Sequence, residues 1–235
     1  MEVAGLSNKG LRPENQDALY ISLSEGLFIV ADGMGGHRAG RLASSLAIET
    51  ARSWFLKYKD KTKDKRELIL QSMIQANYVL IQHATQNPET SGMGTTMTLM
   101  YLDNGVALIG HVGDSRAYHV SSYGIARLTN DHSYVGELVR MGGITEADAL
   151  NHPQRNLLLR AIGGCENIEI DFISKPLKLG EHILLCTDGL FNILHDEELK
   201  SIIMVNTVNK AVETMVHSAL MRGGHDNITA ILVKL

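Results

Sequence analysis

The sequence predicts an α+β fold in which helices cover the outer faces of two packed antiparallel sheets. Three observations lead there. Short apolar runs with strand character follow one another directly, which favours antiparallel pairing over a parallel alternating fold. Turn signatures such as Asp103-Asn104-Gly105 join neighbouring runs. The long stretches with helical spacing stand apart from the run of adjacent strands, as covering layers do.

Taken in order, Val3 to Leu6 and Ala18 to Leu23 alternate enough to read as strands. Leu27-Phe28-Ile29-Val30-Ala31 is a continuous apolar run that stops at Asp32-Gly33, the pattern of a buried strand emptying into a loop. From about Ala39 to Lys57, Leu42, Ala43, Leu46, Ala47, Ala51, Trp54 and Phe55 recur at three- and four-residue steps and predict a helix. A second helix is predicted from about Lys65 to Ala84. The lysine-rich stretch between them, Lys57 to Arg66, reads either as a docking patch for an acidic partner or as a solvated helix–helix connection. The second reading is preferred, because Asp60 and Asp64 compensate part of the charge.

Strands return at Thr95 to Tyr101 and Val106 to Val112, and again at Ala117 to Val120 and Ile125 to Leu128 around a Ser121-Ser122-Tyr123-Gly124 turn. Residues 133 to 164 break this rhythm with short helical patches, Gly142-Gly143, Gly163-Gly164 and His152-Pro153, which suits an inserted lobe or flap. Strands near Ile168 to Ile173 and His182 to Thr187, a helix over about Val208 to Met221 and a last strand at Ile228 to Val233 complete the pattern.

The chain has 235 residues, 44% of them hydrophobic, which suits one domain or a domain with an inserted lobe. A formal net charge of −4 without a basic stripe sets nucleic-acid binding low. No run of about 18 apolar residues predicts a membrane span. The N-terminus lacks the basic and apolar regions of a signal peptide. A cytoplasmic protein away from membranes is the expectation, and nothing demands an oligomer. Cys165 and Cys186 are read as reduced core thiols.

Chemistry enters through acids beside glycines at the ends of apolar runs: Asp17, Asp32-Gly33, Gly113-Asp114, Asp188-Gly189 and Asp226. Each alone is an ordinary turn. Asp32, Asp114, Asp188 and Asp226 together, at strand edges of one sheet system, read as a convergent cluster that would repel itself without a cation. Gly33 lets its carbonyl turn toward an ion. Oxygen donors without a Cys or His pair select Mg2+ or Mn2+ over zinc or copper. Two such ions about 3.5–4 Å apart lower the pKa of a bridging water and steady in-line displacement at phosphorus, so the nucleophile is hydroxide on metal. Arg12, five residues before Asp17, is read as a fork for phosphate oxygens. His37 either protonates a leaving alkoxide, caps the following helix or hydrogen-bonds a metal-bound carboxylate. His111, His132, His152 and His225 also lie close to the motifs, and the sequence does not rank them. Gly94-Thr95-Thr96 lacks the Gly-Lys-Ser/Thr of a phosphate-cradling loop, and Gly113-Asp114-Ser115-Arg116 is not an esterase elbow.

These segments resemble the metal-dependent protein Ser/Thr phosphatases of type 2C in their compact bacterial form. The match runs in order from Arg12-Pro13-Glu14-Asn15-Gln16-Asp17 through Asp32-Gly33-Met34-Gly35-Gly36-His37, Gly94-Thr95-Thr96, His111-Val112-Gly113-Asp114-Ser115-Arg116 and Cys186-Thr187-Asp188-Gly189 to Gly223-Gly224-His225-Asp226-Asn227-Ile228-Thr229. The resemblance implies a four-layer α-β-β-α sandwich and one catalytic domain over 1–235, with a flap near 133–164 that touches the protein substrate. It implies one ion on Asp32, Asp188 and Asp226, a second on Asp32, the Gly33 carbonyl and Asp17, and a third, weaker ion on Asp114 and Asp188. Arg12 falls on the family's phosphate-binding arginine. The implied reaction is hydrolysis of phosphoserine and phosphothreonine in proteins, opposing a Ser/Thr kinase that is itself among the partners. Two positions depart from the pattern: Arg41 stands where many relatives carry an acid, and Met34 stands where animal relatives carry a proposed acid histidine. A non-catalytic binding module and a phosphatase of small metabolites or phosphodiesters are the rival readings. Retention of all five aspartates disfavours the first.

Overall fold

The computed structural model describes residues 1–235, apart from the side chain of His37. In chain order it begins with strands β1 (Glu2–Asn8), β2 (Asp17–Ser22) and β3 (Leu27–Met34), then helices α1 (His37–Tyr58) and α2 (Lys65–Gln86). Strands β4 (Gly94–Thr95), β5 (Met97–Asp103), β6 (Val106–Val112), β7 (Arg116–Ser121) and β8 (Gly124–Arg127) follow. Helices α3 (Tyr134–Arg140) and α4 (Glu146–Leu150) precede β9 (Asp171–Pro176) and β10 (His182–Cys186). Helices α5 (Asp188–Phe191), α6 (Asp196–Val205) and α7 (Val208–Met221) lead to β11 (Ile228–Lys234).

All pairings between these strands are antiparallel. One sheet has the order β1-β11-β10-β7-β8; the other runs β2-β3-β5-β6-β9, with β4 on the end of β3. Three apolar layers hold the sandwich together. Phe28, Val30, Ile109, Ile183, Leu185 and Ile231 fill the space between the sheets. Ala43, Ala47, Ala51, Phe55, Leu68 and Met73 seat α1 and α2 on the β3 side. Leu199, Ile203, Val212, Met215 and Val216 seat α6 and α7 on the other sheet. The layers are therefore α-β-β-α, as expected. Every buried Phe or Leu side chain in them contributes roughly 1.5–3 kcal/mol relative to exposure.

Local chemistry explains the joints. Asn104 and Gly105 both take positive φ, 48° and 79°, which gives the β5–β6 hairpin the twist its strands need. Asp64 caps α2, its carboxylate accepting from the backbone N–H groups of Arg66 and Glu67. In the lysine-rich connection, Lys59 donates to the Glu25 carbonyl at 2.8 Å and Lys65 to the Lys59 carbonyl at 2.6 Å. Part of that charge thus closes the link between the helices.

Several bounds differ from expectation. Strand β3 does not stop at Asp32; it continues to Met34, because Gly33 and Met34 find new partners in Thr95 and Gly94. Strand β9 begins later than expected, where Asp171 meets His111. Helix α6 was not anticipated, although Asp196, Glu197 and Glu198 in its first turn and Leu199 and Ile203 beneath it carry the signal. Residues 133–164 hold α3 and α4, tied back by bridges Ser133–Leu158 and Thr95–Ile162. Cys186 is a buried thiol, but Cys165 is exposed and is not a core residue. Among the described residues no helix is long and apolar enough to cross a membrane.

Candidate metal centre

The acids meet because both sheets deliver them at the same end. Asp17 opens β2 and stands opposite Asp32 in register, so the two side chains share one face of a strand pair. In the other sheet, Asp188 follows β10 and Asp226 precedes its neighbour β11. Two contacts stitch the sheets together there. The Thr187 hydroxyl donates to Asp17 Oδ2 at 2.8 Å, and the backbone N–H of Gln16 donates to Asn227 Oδ1 at 2.8 Å. Asn227 also donates through Nδ2 to the carbonyls of Lys9 and Glu14, at 2.9 and 3.0 Å, and so fastens the loop that carries Arg12.

Glycine is required where backbones close on the site. A methyl group at Gly33 would lie 2.0 Å from the Gly40 carbonyl oxygen, and one at Gly189 would lie 2.1 Å from that of Asn227. Asp32 is held by its own backbone, its N–H donating to the Thr96 hydroxyl at 2.9 Å and its carbonyl accepting from the Thr95 hydroxyl at 2.8 Å.

The electrostatics are those of acids crowded out of water. Burial pushes the Asp17 carboxyl up to about 7 and that of Asp188 up to about 6, against ordinary values near 3.8, with the charge of Asp226 adding to the second. Burial raises Asp32 well above its usual range, with Asp17 and Asp188 adding to it; Asp114 is raised by burial and then by Asp188. Asp17 Oδ1 and Asp188 Oδ1 are buried without any hydrogen-bond donor. Buried lone pairs of this kind are costly unless a cation takes them.

Among the described residues, no group of three or more His, Cys, Asp or Glu side chains is placed to hold a metal ion as the side chains lie. An open set of carboxylates fits Mg2+-like ions, which keep several waters and bind through one or two carboxylates. The donors present, carboxylates and no thiolate, therefore fit a hard divalent ion.

The remaining predicted residues fall around this group. Asp114 follows β6 and lines, with Asp188, a cavity of about 510 Å³. Val135 of α3, Ala147 of α4, Phe191 of α5 and Asp196 of α6 form its other walls. Arg12 donates from Nη2 to Asp226 Oδ2 at 2.8 Å and is half exposed. That hydrogen bond, reinforced by the charges of Asp188 and Asp32, raises its pKa further. Arg41 is exposed and lines a shallow hollow beside Asp17 and Glu14. His37 opens α1, but its side chain lies outside the described residues.

The structure ranks the other histidines. His111 is buried behind the Asp114 loop between the Thr98 hydroxyl and the Asn130 carbonyl, at 2.9 and 3.0 Å, and burial pushes its pKa down to about 4. His132 accepts from the Gly113 N–H at Nδ1, which leaves its Nε2 proton facing Asp171 at 3.2 Å. His225 is exposed, and His152 sits in the loop after α4 with Nδ1 accepting from Gln154 N. Thr187, Asn227, Arg116 and Asp131 are structural partners of the site that sequence reasoning did not single out. Thr187 and Asn227 stand beside acids in quoted motifs, but nothing in their neighbours names their distant contacts.

The chain is similar to known proteins along nearly its whole length. Residues 6–232 match the family model of protein phosphatase 2C. The chain is 37% identical over 224 residues to the serine/threonine phosphatase stp of Listeria monocytogenes, covering 94% of this chain and 86% of that one. Its fold superposes on the Streptococcus agalactiae serine/threonine phosphatase with a TM-score of 0.92 at 33% identity, covering 100% and 99% of the two chains. It also superposes on the catalytic domain of the serine/threonine protein phosphatase PstP in complex with two manganese ions, with a TM-score of 0.88 at 30% identity and coverage of 99% and 97%.

Proposed function

The chain belongs to the protein phosphatase 2C family and is a metal-dependent protein serine/threonine phosphatase, and from that premise we propose how its site is used. Asp32, Asp188 and Asp226 hold one Mn2+ or Mg2+ ion; Asp32, the Gly33 carbonyl and Asp17 hold a second; Asp114 and Asp188 hold a weaker third. The observation that carries this reading is the pair of buried, donorless oxygens, Asp17 Oδ1 and Asp188 Oδ1, where the two sheets bring their acids together. The manganese-bound relative supports the choice of ion. When bound, such ions supply Lewis acidity, drawing charge from phosphoryl oxygens and making water a competent nucleophile at neutral pH.

The chain's own residues supply position and charge. Thr187 keeps Asp17 Oδ2 occupied and so leaves Oδ1 for an ion. Arg12, half exposed and spending one nitrogen on Asp226, turns its remaining N–H groups to the phosphoryl oxygens, whose charge grows in transfer. His37, the first residue of α1, is assigned a supporting place, either as proton donor to the leaving alkoxide or as a hydrogen-bond partner of a ligand. Residues 133–164 act as a flap against the phosphoprotein, above the cavity that Asp114 and Asp188 share. The proposal is completed by one catalytic domain over 1–235, monomeric and cytoplasmic, opposing a Ser/Thr protein kinase; the family resemblance supports these last assignments.

Chelator-treated protein is expected to lose turnover of p-nitrophenyl phosphate and of a phosphothreonine peptide, and Mn2+ to restore both. Asp188→Ala should lower kcat by at least about 10²–10³-fold, the scale of losing one transition-state charge partner. His37→Ala should cost less. Full turnover in metal-free protein, or wild-type kcat in Asp188→Ala, overturns the assignment.

A further inference from the structure

Arg116 lies outside the proposed ligand set, yet its guanidinium is held by three different side chains. It opens β7, two residues after Asp114, and its side chain is only 15% exposed. Nε and Nη2 fork onto the two oxygens of Asp131 at 3.0 and 2.6 Å, and Asp131 is itself 12% exposed. Nη1 donates to the Tyr118 hydroxyl at 3.0 Å. The guanidinium carbon lies 3.7 Å from the centre of the Phe191 ring.

Those partners lead on one side to Asp188, one of the acids that line the cavity, and on the other to the flap. Phe191 is the last residue of α5, and Asp188 is its first, so ring and carboxylate belong to one short helical turn. On the other side, Asp131 precedes Ser133, the residue that caps α3. A methyl group at Gly136 would meet the Asp131 carbonyl at 2.5 Å, so α3 rests directly on that residue. Arg127 reaches Asp131 at 3.8 Å and Glu146 of α4 at 3.0 Å. An unbroken line of contacts therefore runs from α5 through Arg116 and Asp131 to both helices of the 133–164 segment.

We infer that Arg116 is a positioning residue that sets Asp114 against Asp188 and ties their spacing to the root of the flap. The inference rests on the reading of those two acids as ligands of the weakest ion. Asp114 sits on the turn between β6 and β7, two residues before Arg116, and the Gly113 N–H beside it is held by His132. A buried ion pair is a poor source of stability, because desolvation cancels much of its attraction. What a planar, five-donor fork adds is orientation in two directions at once, in the plane toward Asp131 and across it toward Phe191. A lysine reproduces the charge and neither direction.

The test is a Mn2+ titration of chelator-treated protein, reading free Mn2+ by electron paramagnetic resonance, for wild type, Arg116→Lys, Phe191→Leu and Asp114→Asn. Circular dichroism and melting temperature accompany each. Asp114→Asn should remove the weakest Mn2+ equivalent. Arg116→Lys and Phe191→Leu should weaken that same equivalent by about tenfold to a hundredfold, the usual cost of losing a group that orients a ligand. The tighter ions should stay in place, with kcat falling and KM for a phosphopeptide little changed. If Asp114→Asn loses the weak ion while Arg116→Lys and Phe191→Leu bind it as wild type does, the positioning role is wrong and the ligand reading stands. If Asp114→Asn binds Mn2+ unchanged, the ligand reading fails and the inference falls with it. Uniform loss of every ion together with the fold, in both Arg116→Lys and Phe191→Leu, would assign Arg116 to stability alone and overturn it.

Discussion

At Gly189 the argument between chemistry and packing reduces to one hydrogen atom. The residue follows Asp188, and a methyl group there would drive into the Asn227 carbonyl, whose side chain fastens the Arg12 loop. Gly189→Ala should destabilise the protein by roughly 1–3 kcal/mol, the usual cost of overpacking, and lower activity at the same time, since Asp188 and Asn227 are pushed apart. Urea unfolding and a phosphatase assay on the same preparation check both halves. The Asp–Gly pairs were legible in the sequence because the chemistry and its steric condition sit side by side in the chain. Thr187, Asn227 and Arg116 were not. Thr187 meets Asp17 across 170 positions, and Asn227 meets Gln16 across 211, so nothing local announces either contact.

Among the elements, the long helices were the most readable, because their apolar spacing repeats over many turns. Helix α1 spans 22 residues, about 33 Å at the standard rise, and carries the fold from Gly40, packed on Gly33 beside Asp32, to the lysine-rich connection at its last turn. That distance makes a clean prediction. Asp64→Ala removes the cap of α2 at the far end of α1 and should cost about 1 kcal/mol of stability, lowering the melting temperature while leaving kcat and KM unchanged. Changed kinetics would mean that the two ends of the sandwich are mechanically linked. Helix α6 escaped the sequence reading because ten residues give the period too few repeats to stand out from a loop. Strand β3 was cut short for a different reason. Asp32-Gly33 reads as a turn locally, and only its pairing with Gly94-Thr95 keeps the backbone extended through it.

For the molecule as a whole, acid sensitivity follows from His111. Its ordinary pKa is 6.5 and its folded value is about 4, so between those pH values the unfolded chain binds a proton that the folded one refuses. The unfolded state binds more protons there, and this residue's contribution to stability falls as pH drops from 6.5 to 4, by up to about 3 kcal/mol. The raised carboxyls of Asp17 and Asp188 act in the opposite sense in metal-free protein, since the folded state takes up protons first as pH falls below about 7 and about 6. Comparison with His111→Asn separates the two. Melting temperatures of metal-free wild type and variant across pH 4 to 7 should converge toward acid, the wild type losing the larger amount. Parallel curves would refute a neutral buried imidazole.

The pairing of β1 with β11 has a consequence for how the protein comes into being. A ribosome must deliver more than two hundred further residues before the first strand acquires its one hydrogen-bonded strand partner, and Asp226 arrives with that late partner. Long-range closure of this kind is slow and leaves edges bare meanwhile. On the proposed ligand set, a nascent chain halted before Asp226 owns most of both sheets and lacks one metal ligand. Closure of β1 on β11 and assembly of the proposed ligand set are thus one late event.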